Sequence, residues 1–284
     1  MNIFRKCAAA LLLALMLCAL TPLALAQTSP PLGQSASFAV LGGSAVTNTG
    51  PSIVTGELGV SPGTAVTGFP PGLVSGGSIH IADAVALQAQ ADLVVAYNVL
   101  AGQAQTADLT GSDLGGLTLG PGVYRFSSSA QLTGTLTLDA QGDPAAVFIF
   151  QIGSTLTTAS AANVLLINGG QDCNVYWQIG SSATLGTGTA LAGSILALTS
   201  ITLNTNASIT GRLLARNGAV TLDSATVSVC AAGCAPITMA PPTVPNASIG
   251  EAYSTAITAS GGIAPYVYSL SAGTLPAGLT LSAA

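Results

Sequence analysis

A repeated phrase in the middle of the chain restricts the fold more than any other feature. Four copies and a weaker first one alternate small or threonine residues with a central leucine: Ala130-Gln-Leu-Thr133, Ser154-Thr-Leu-Thr-Thr158, Ser182-Ala-Thr-Leu-Gly186, Ser200-Ile-Thr-Leu-Asn204 and Ala219-Val-Thr-Leu-Asp223. The leucines lie 18 to 29 residues apart, which suits single turns of a β-solenoid with loops in the longer turns. Two more strand-like runs between copies predict three strands per coil. The sequence therefore predicts a mainly β chain folded as a three-faced solenoid.

Period-2 alternation places each central leucine inside the first face, so that its neighbours point outward. The outward positions predicted for this face are Gln131, Thr133, Thr155, Thr157, Thr184, Gly186, Thr202, Asn204, Thr221 and Asp223. They form a ladder of small, mostly threonine side chains with almost no charge. The second face, with Ala190-Leu-Ala192 and Ser208-Ile-Thr210, is the competing surface, because it is also small and uncharged but less regular.

The third face is predicted to be covered, because its strands are apolar on both sides. These strands are Val147-Phe-Ile-Phe150, Val175-Tyr-Trp177, Ile195-Leu196 and Leu213-Leu214. Residues 83–103 change to a helical pattern rich in Ala and Leu, with Asp83 as N-cap and Gly102 near the end. A largely apolar helix needs a surface to pack on. We therefore expect one long helix lying along the third face.

The N-terminus reads as a secretory signal peptide over residues 1–26. Arg5 and Lys6 precede an apolar core, and Ala24-Leu25-Ala26 forms an A-x-A cleavage site. No other run is expected to span a bilayer. After cleavage, Arg125, Arg212 and Arg216 face ten acidic residues, which argues against nucleic acid or anionic lipid as a partner. The chain is expected to be secreted or at the cell surface.

Three cysteines remain after residue 26, namely Cys173, Cys230 and Cys234. Secretion permits a disulfide, and three cysteines allow three single pairings with one thiol left over. Cys230 and Cys234 are close in sequence, whereas Cys173 could instead join its loop to the end of the solenoid. A structural bridge is expected. No cluster shows metal-ligand spacing, so neither a metal nor a cofactor is predicted.

Other residues that resemble functional groups have simpler structural interpretations. His80, the only histidine, has no serine or cysteine motif beside it and is predicted to act at a turn or helix entry. Trp177 is predicted to be core under the helix and not a sugar platform. Arg212 and Arg216 are predicted to pair with Glu57 or Asp223 through coil stacking. The chain is not expected to have a catalytic site.

The predicted domain order follows from shifts in composition. Residues 32–68 read as the first coils, the helix follows, and residues 115–124 return the chain to the beginning of the solenoid. The solenoid and helix together occupy residues 27–234. Prolines mark a linker at 235–245, and residues 246–284 read as a partial immunoglobulin-like β-module.

Several phrases, in order, resemble those of the microbial secreted ice-binding protein family. They are Pro62-Gly-Thr-Ala-Val-Thr-Gly-Phe69, Ala89-Gln-Ala-Asp-Leu93 with Ala96-Tyr-Asn98, Leu119-Gly-Pro-Gly-Val-Tyr124, Val147-Phe-Ile-Phe-Gln-Ile152, Cys173-Asn-Val-Tyr-Trp-Gln178 and Gly211-Arg-Leu-Leu-Ala215. The resemblance implies a discontinuous, right-handed β-solenoid with one helix alongside. It also implies ice binding, with freezing hysteresis and inhibition of recrystallisation. The partner would be ice or ordered water, and a monomer is expected.

The predicted ladder suits ice on physical grounds as well. Rungs about 4.8 Å apart, with outward residues about 6.7 Å apart within a rung, make a flat and rigid array. The threonine methyl group restricts rotation of the side chain, and its hydroxyl group anchors water. Outward threonines can also be no more than good strand formers. Two other classes remain open: a cell-surface adhesin or spacer, and a polysaccharide-degrading β-helix enzyme, which would need several carboxylates in one groove.

Overall fold

The computed structural model describes residues 27–230, 238–240 and 253–260, together with residues 246, 268, 275 and 280. The predicted signal peptide and Cys234 lie outside the described residues. After a 3₁₀ turn at Gly33–Ser37, the first strands are β1 (Phe38–Gly42), β2 (Ala45–Thr49), β3 (Ile53–Thr55), β4 (Glu57–Val60), β5 (Ala65–Thr67), β6 (Leu73–Ser75) and β7 (Ile79–Ile81). One helix, α1, then spans Ala84–Ala101.

The strands after the helix are short and follow one another closely. They are β8 (Ala107–Asp108), β9 (Thr118–Leu119), β10 (Gly122–Phe126), β11 (Ala130–Leu132), β12 (Thr135–Asp139), β13 (Phe148–Ile152), β14 (Leu156–Thr158), β15 (Asn163–Ile167), β16 (Val175–Ile179), β17 (Ala183–Leu185), β18 (Ala190–Ala197), β19 (Ile201–Leu203), β20 (Ser208–Ala215), β21 (Val220–Asp223) and β22 (Thr226–Ser228). The described part of the chain is thus mainly β with one helix, as predicted.

These strands form two parallel sheets that contain three stacks. The first stack is the seven-stranded sheet β11-β14-β17-β19-β21-β2-β5. The second and third stacks belong to one 15-stranded sheet and are joined through the long strands β18 and β20. The second stack is β9-β12-β15-β18-β20-β22-β3-β6, and the third is β8-β10-β13-β16-β18-β20-β1-β4-β7.

The order of the strands within the stacks corrects the sequence prediction for residues 32–68. These residues do not begin the stacks next to β8 and β10; they continue them beyond the last turn. β2 pairs with β21, β1 with β20 and β3 with β22, all in parallel. Helix α1, about 27 Å long at 1.5 Å per residue, carries the chain back to the opposite end. The strands before and after the helix therefore meet within the stacks, two or three strands from one end.

The stacks enclose a continuous apolar core. It contains the repeat leucines Leu132, Leu156, Leu185, Leu203 and Leu222, all fully buried. Trp177 belongs to this interior and not to the layer under the helix, so that part of its prediction is wrong. Its ring stacks on Phe150 with centroids 4.1 Å apart, and its Nε1–H donates to the Ala192 carbonyl at 2.9 Å. Alternation explains this, because Tyr176 takes the side that faces the helix.

Helix α1 packs on the third stack, as predicted. Its buried residues recur at helical spacing: Ala86, Ala89, Gln90, Leu93, Ala96, Tyr97 and Leu100. They meet the outer side chains of the third stack, among them Ile149, Tyr176, Leu196 and Leu214. Gln90 Nε2 donates to the Gly42 and Ala215 carbonyls at 3.0 and 3.1 Å, and the Tyr97 hydroxyl donates to the Ile179 carbonyl at 3.2 Å. These polar bonds fix the position of the helix along the stack.

The helix is apolar on its outer side too. By length and composition it could cross a membrane, with a mean hydropathy of 1.3, so the prediction that no run after residue 26 has this property is wrong. Leu87 and Val95 are exposed on the side away from the third stack. The cause is the abundance of Ala, Leu and Val around the whole circumference, although one face is fully used in packing.

A disulfide joins Cys173, just before β16, to Cys230 after β22, with their Cα atoms 5.4 Å apart. This is one of the pairings that the sequence left open. Arg212 lies beside it, buried, and donates from Nε to the Ala36 carbonyl at 2.8 Å and from Nη1 to Ser194 Oγ at 3.3 Å. Arg216 lies over the Tyr97 ring, 5.0 Å from its centroid.

The predicted ion pairs of these two arginines are therefore wrong. Glu57 accepts instead from the Ser78 N–H and lies against His80, and Asp223 accepts from two hydroxyl groups. The arginine side chains point toward the region of the helix, the 3₁₀ turn and the disulfide, where carbonyl groups and an aromatic ring receive them.

Two short strands lie beyond the stacks. β23 (Thr238–Ala240) pairs antiparallel with β24 (Thr258–Ser260). β23 falls within the predicted linker, and β24 falls within the predicted immunoglobulin-like module. Most of that module lies outside the described residues, so the module remains a prediction.

Candidate functional site

The first stack carries a single column of outward side chains that is almost entirely threonine. In sheet order the column contains Gln131, Thr157, Thr184, Thr202, Thr221, Thr47 and Thr67. In the five strands that follow the helix, each of these side chains stands between two buried residues, which directs it outward. In the N-terminal strands, Thr47 follows the buried Val46, and Thr67 follows the half-buried Val66. Six threonines thus occupy consecutive rungs, about 4.8 Å apart. The column has no charged member.

One rung has a different register from the prediction. The prediction aligned Leu156 with the other central leucines, but Leu156 pairs with Ala130 and Ala183, and Thr158 takes the place opposite Leu132. Thr157 is therefore the central outward residue, and Thr155 moves to the flank of the face. The shift is two residues, so both threonines keep their outward direction.

The shift is possible because the buried hydroxyl group of Thr158 is fully bonded. Thr158 Oγ1 lies 2.7 Å from Thr189 Oγ1 and accepts the Gly186 N–H at 2.9 Å, while Thr189 donates to the Ala159 carbonyl at 3.1 Å. A buried polar group of this kind costs little when it is hydrogen-bonded. The corner after β14 is thus held by side-chain hydroxyl groups where other rungs use leucine.

A second column of hydroxyl groups flanks the threonines and was not predicted as part of the site, apart from Thr155. Its members are Ser129, Thr155, Ser182 and Ser200, and alanines continue it at Ala219, Ala45 and Ala65. Backbone bonds from Ala130 N to Thr155 O and from Leu156 N to Ser182 O keep it in register. Thr155 Oγ1 donates to Ser129 Oγ at 2.9 Å. The first stack therefore presents two neighbouring hydroxyl columns over three of its rungs, those of Thr157, Thr184 and Thr202.

The opposite flank, where four of the ten predicted residues lie, is irregular. It contains Thr133, Gly186, Asn204 and Asp223 from the prediction, together with Thr49. Gly186 is buried, and a Cβ there would lie 2.7 Å from the Ala159 carbonyl group, so its assignment to the outward ladder is wrong. Asp223 accepts hydrogen bonds from the Thr205 and Ser224 hydroxyl groups. These neighbours hold its charge at the edge of the face.

Two threonines of the central column, Thr47 and Thr67, were missed. Both lie in N-terminal strands that the sequence does reveal, Ser44-Ala-Val-Thr-Asn-Thr49 and Thr64-Ala-Val-Thr-Gly68. Their phrases match the repeat, with Thr at the same offset from the inward valine. This match could have identified both threonines as members of the column. It did not, because residues 32–68 were predicted to lie at the other end of the stacks.

His80 lies at the entry to the helix, as predicted. Its Nδ1 is 2.7 Å from Asp83 Oδ2, its Nε2 is 3.2 Å from Glu57 Oε2, and Asp83 Oδ1 accepts the Ala86 N–H as the helix cap. Partial burial alone would lower the pKa of His80, but hydrogen bonds and negative charge from Asp83 and Glu57 hold that pKa above its ordinary value of 6.5. The group links β4, β7 and α1.

Apart from the first stack, the described residues offer a cleft as an alternative site. A shallow cleft of about 260 Å³ beside the end of α1 is lined by Arg125, Gln151 and Gln178, away from the threonine column. Gln151 Nε2 is already bonded to the Leu100 and Gln103 carbonyls at 2.7 and 2.8 Å. Among the described residues, no group of three or more His, Cys, Asp or Glu side chains is arranged to hold a metal.

Comparison with known proteins identifies the family of this chain. The family described as ice-binding-like matches residues 40–228, which is more than half of the chain and runs from β1 to β22. The chain belongs to this family.

The relatives of this ice-binding-like chain include proteins of similar sequence and fold. The ice-binding protein of Nostoc sp. (strain HG1) is 63% identical over 198 residues, which cover 69% of this chain and 73% of the relative. The crystal structure of an ice binding protein from an Antarctic Biological Consortium is similar with a TM-score of 0.70 at 48% identity, over 72% of this chain and 93% of that one. The ice-binding protein of Antarctomyces psychrotrophicus gives a TM-score of 0.69 at 43% identity, over 71% of this chain and 98% of that one.

Proposed function

We propose that this protein binds ice through the first stack. The observation that carries the proposal is the column of six threonines on consecutive rungs, uncharged and facing solvent, in a chain of the ice-binding-like family. The contact surface would be this column together with the neighbouring column Ser129, Thr155, Ser182 and Ser200. Among the originally predicted residues, Thr184, Thr202 and Thr221 keep their central role.

The three stacks are interpreted as the three faces of a right-handed β-solenoid. Successive parallel strands of one stack are linked by chain that passes through the other two stacks, which is the arrangement of a coil. Crossover connections between parallel strands in one sheet are right-handed in about 98% of cases. The corners are tight, since a Cβ at Gly153 or Gly180 would lie within 2.6 Å of a carbonyl oxygen on the coil below.

Rigidity is the property that such a surface contributes to ice recognition. Ice offers neither charge nor pocket, so a protein has to order water in a matching lattice at low entropic cost. Each rung is fixed by parallel backbone pairing, and the five rungs that follow the helix also have a buried residue on either side of the outward side chain. The threonine methyl restricts χ1, so that its hydroxyl group stays in one orientation. Water held on two columns, about 6.7 Å apart across and about 4.8 Å apart along the stack, would join the ice surface.

Ice bound in this way stops growing where the protein sits, and growth continues only between bound molecules. The expected consequences are freezing hysteresis, shaped crystals and inhibition of recrystallisation. No enzyme activity or cofactor is needed for this function. A monomer can perform it, because one molecule contains the complete face.

The second stack is the weaker candidate for the contact surface. Its outward side chains mix hydroxyl groups with the exposed aliphatic residues Ile53, Leu73 and Leu165. Ser208 and Thr210 lie between two alanines on one side, Ala190 and Ala192, and Thr226 and Ser228 on the other. Side chains of such different length make an uneven surface, whereas contact with a flat ice lattice needs side chains that extend to the same height.

We also infer that the protein works outside the cytoplasm. The Cys173–Cys230 disulfide supports this inference, because disulfides persist in oxidising compartments. A predicted signal peptide over residues 1–26 is consistent with it. Attachment to a cell surface through the region after residue 234 remains a compatible alternative role.

The test compares two tyrosine substitutions in a nanolitre freezing assay. Thr202→Tyr places a bulky side chain in the middle of the column, and the expected result is loss of most of the hysteresis and crystal shaping. Ser208→Tyr, on the second stack, should leave both intact, and both variants should melt within a few degrees of wild type because both positions face outward. The reverse result would move the site to the second stack. Absence of hysteresis and shaping in the wild-type protein would refute ice binding.

A further inference from the structure

We propose that Gln131 limits the length of the ice-contacting array at one end, and that threonine at this position would extend the array by one rung. The inference rests on the proposed function. It concerns a residue within the column whose side chain differs from all the others in length and flexibility.

Gln131 is a full member of the central column. It lies in β11 between the buried residues Ala130 and Leu132, and it pairs with Thr157 in parallel register. Its side chain is exposed and, within the described residues, makes no hydrogen bond. The backbone of this rung is therefore paired in register with the Thr157 rung, and the side chain breaks the pattern.

Glutamine disturbs a flat array for two physical reasons. Its side chain is two heavy atoms longer than that of threonine, so it reaches beyond the plane of the hydroxyl groups. It also has three rotatable bonds and loses more rotamer freedom when it is held than a β-branched residue, which is already restricted. Water above this rung would be less ordered than water above Thr157.

The next rung confirms that the array ends here and does not resume beyond Gln131. An isolated parallel bridge joins Gln131 to Asp113, so a carboxylate stands in the following position. Asp113 Oδ1 accepts the Gly115 and Thr133 N–H groups at 2.7 and 2.9 Å. Burial alone would raise the pKa of Asp113, but these bonds hold it below its ordinary value, so the charge persists. Replacement of Gln131 thus offers one additional rung and no more.

Threonine fits position 131 without cost to the fold. The residue is in mid-strand with an outward side chain, where β-branched residues are favoured. No hydrogen bond of the glutamine is lost. The effect of Gln131→Thr on melting should therefore be small, and any change in activity can be assigned to the surface.

The experiment measures hysteresis against concentration for four proteins: wild type, Gln131→Thr, Thr184→Gln and Thr226→Gln. Gln131→Thr should exceed wild type at every concentration. Thr184→Gln places the same glutamine inside the array and should fall well below wild type. Thr226→Gln, exposed on the second stack, should match wild type and controls for glutamine on the surface.

The outcomes separate this inference from the proposed function. An active wild type whose hysteresis is unchanged or reduced by Gln131→Thr, with melting unchanged, would overturn the role of Gln131 and leave ice binding standing. An inactive wild type would overturn the proposed function itself. Thr184→Gln at full wild-type activity would contradict the assumption that glutamine interrupts the array.

Discussion

Thr47 donates its hydroxyl hydrogen to the hydroxyl oxygen of Thr221 at 3.1 Å, although 174 residues separate the two in sequence. The bond crosses the junction where the N-terminal strands meet the last turn of the repeat, and the backbones of β2 and β21 pair around it. The threonine column is continuous only because of this junction. The surface therefore depends on the pairing of the strands before the helix with those after it. A change that separates them would shorten the column from seven rungs to five.

The first prediction concerns the packing of the helix. Leu93 is fully buried between α1 and the third stack, so Leu93→Ala should lower the free energy of unfolding by about 2–5 kcal/mol. Leu87→Ala, on the exposed side of the same helix, should change it by less than about 0.5 kcal/mol. Denaturant unfolding followed by circular dichroism distinguishes the two. Equal effects would contradict the orientation of the helix.

The apolar strands could be predicted to be covered on both sides, but the sequence did not show which of their residues face the helix and which face the interior. The sequence shows that Val175-Tyr-Trp177 is apolar throughout, and this was sufficient to place a helix over it. Whether Trp177 or Tyr176 faces the helix depends on one residue of register, which an entirely apolar strand does not reveal. In the structure Trp177 stacks on Phe150 in the interior and Tyr176 contacts the helix layer.

The second prediction concerns the disulfide. Cys173 and Cys230 close a loop of 57 residues, for which the chain-entropy model gives about 4 kcal/mol of stabilisation. The double variant Cys173→Ala/Cys230→Ala should therefore melt well below wild type, as should the wild-type protein with reductant. Cys234→Ala is the control and should melt like wild type, since the bridge forms without Cys234. A lower melting temperature for that control, equal to that of the double variant, would show that Cys234 belongs to the bridge.

The third prediction concerns the pH dependence of stability through His80. Its pKa is higher in the folded protein than its ordinary value of 6.5, because the opposing effect of burial is outweighed by Asp83 and Glu57. Protonated His80 therefore stabilises the fold fully below about pH 6.5, and the contribution is lost as pH rises through the folded-state pKa. Wild type should therefore lose melting temperature as the pH rises above 6.5 and through the folded-state pKa.

His80→Asn provides the comparison, because it cannot gain this charge. Among the described residues, the charged groups that face His80 are Glu57 from β4 and Asp83 at the start of α1. Asp83 has a lowered pKa, chiefly because its carboxylate accepts the Ala86 N–H, and it remains ionised across this range. The loss of melting temperature should be smaller in His80→Asn. An identical pH profile for both proteins would remove His80 as the cause.

The repeat predicted the type of surface better than its exact membership. Seven of the ten predicted positions lie outward in or beside the first stack with small or hydroxyl side chains, namely Thr133, Thr155, Thr157, Thr184, Thr202, Asn204 and Thr221. The alignment failed at β14 because Thr158, a polar residue, occupies an inward position that leucine fills elsewhere. Thr158 can be buried there because its hydroxyl group is hydrogen-bonded to Thr189, 31 residues away. A local sequence pattern carries no information about that partner.

The order of the strands within the stacks could not be predicted from the sequence, for a related reason. Strand runs in residues 32–68 are visible, yet the same alternating pattern suits either end of a solenoid. Their position depends on pairs such as Val46 with Val220 and Val40 with Leu213, which join distant parts of the chain. Such contacts can be inferred from composition only when the two ends of a solenoid differ strongly in their residue types.

The last prediction tests whether the N-terminal rungs belong to the surface. Thr47 is the sixth member of the column, next to Thr221, so Thr47→Tyr should lift the protein from ice nearly as effectively as Thr202→Tyr, even though the two positions lie 155 residues apart. The control is Thr55→Tyr, an exposed position of β3 in the same N-terminal coil but on the second stack, which should retain hysteresis. Both variants should keep their melting temperatures within a few degrees, because both side chains point outward. Full activity of Thr47→Tyr together with loss of activity in Thr202→Tyr would confine the ice contact to the strands that follow the helix.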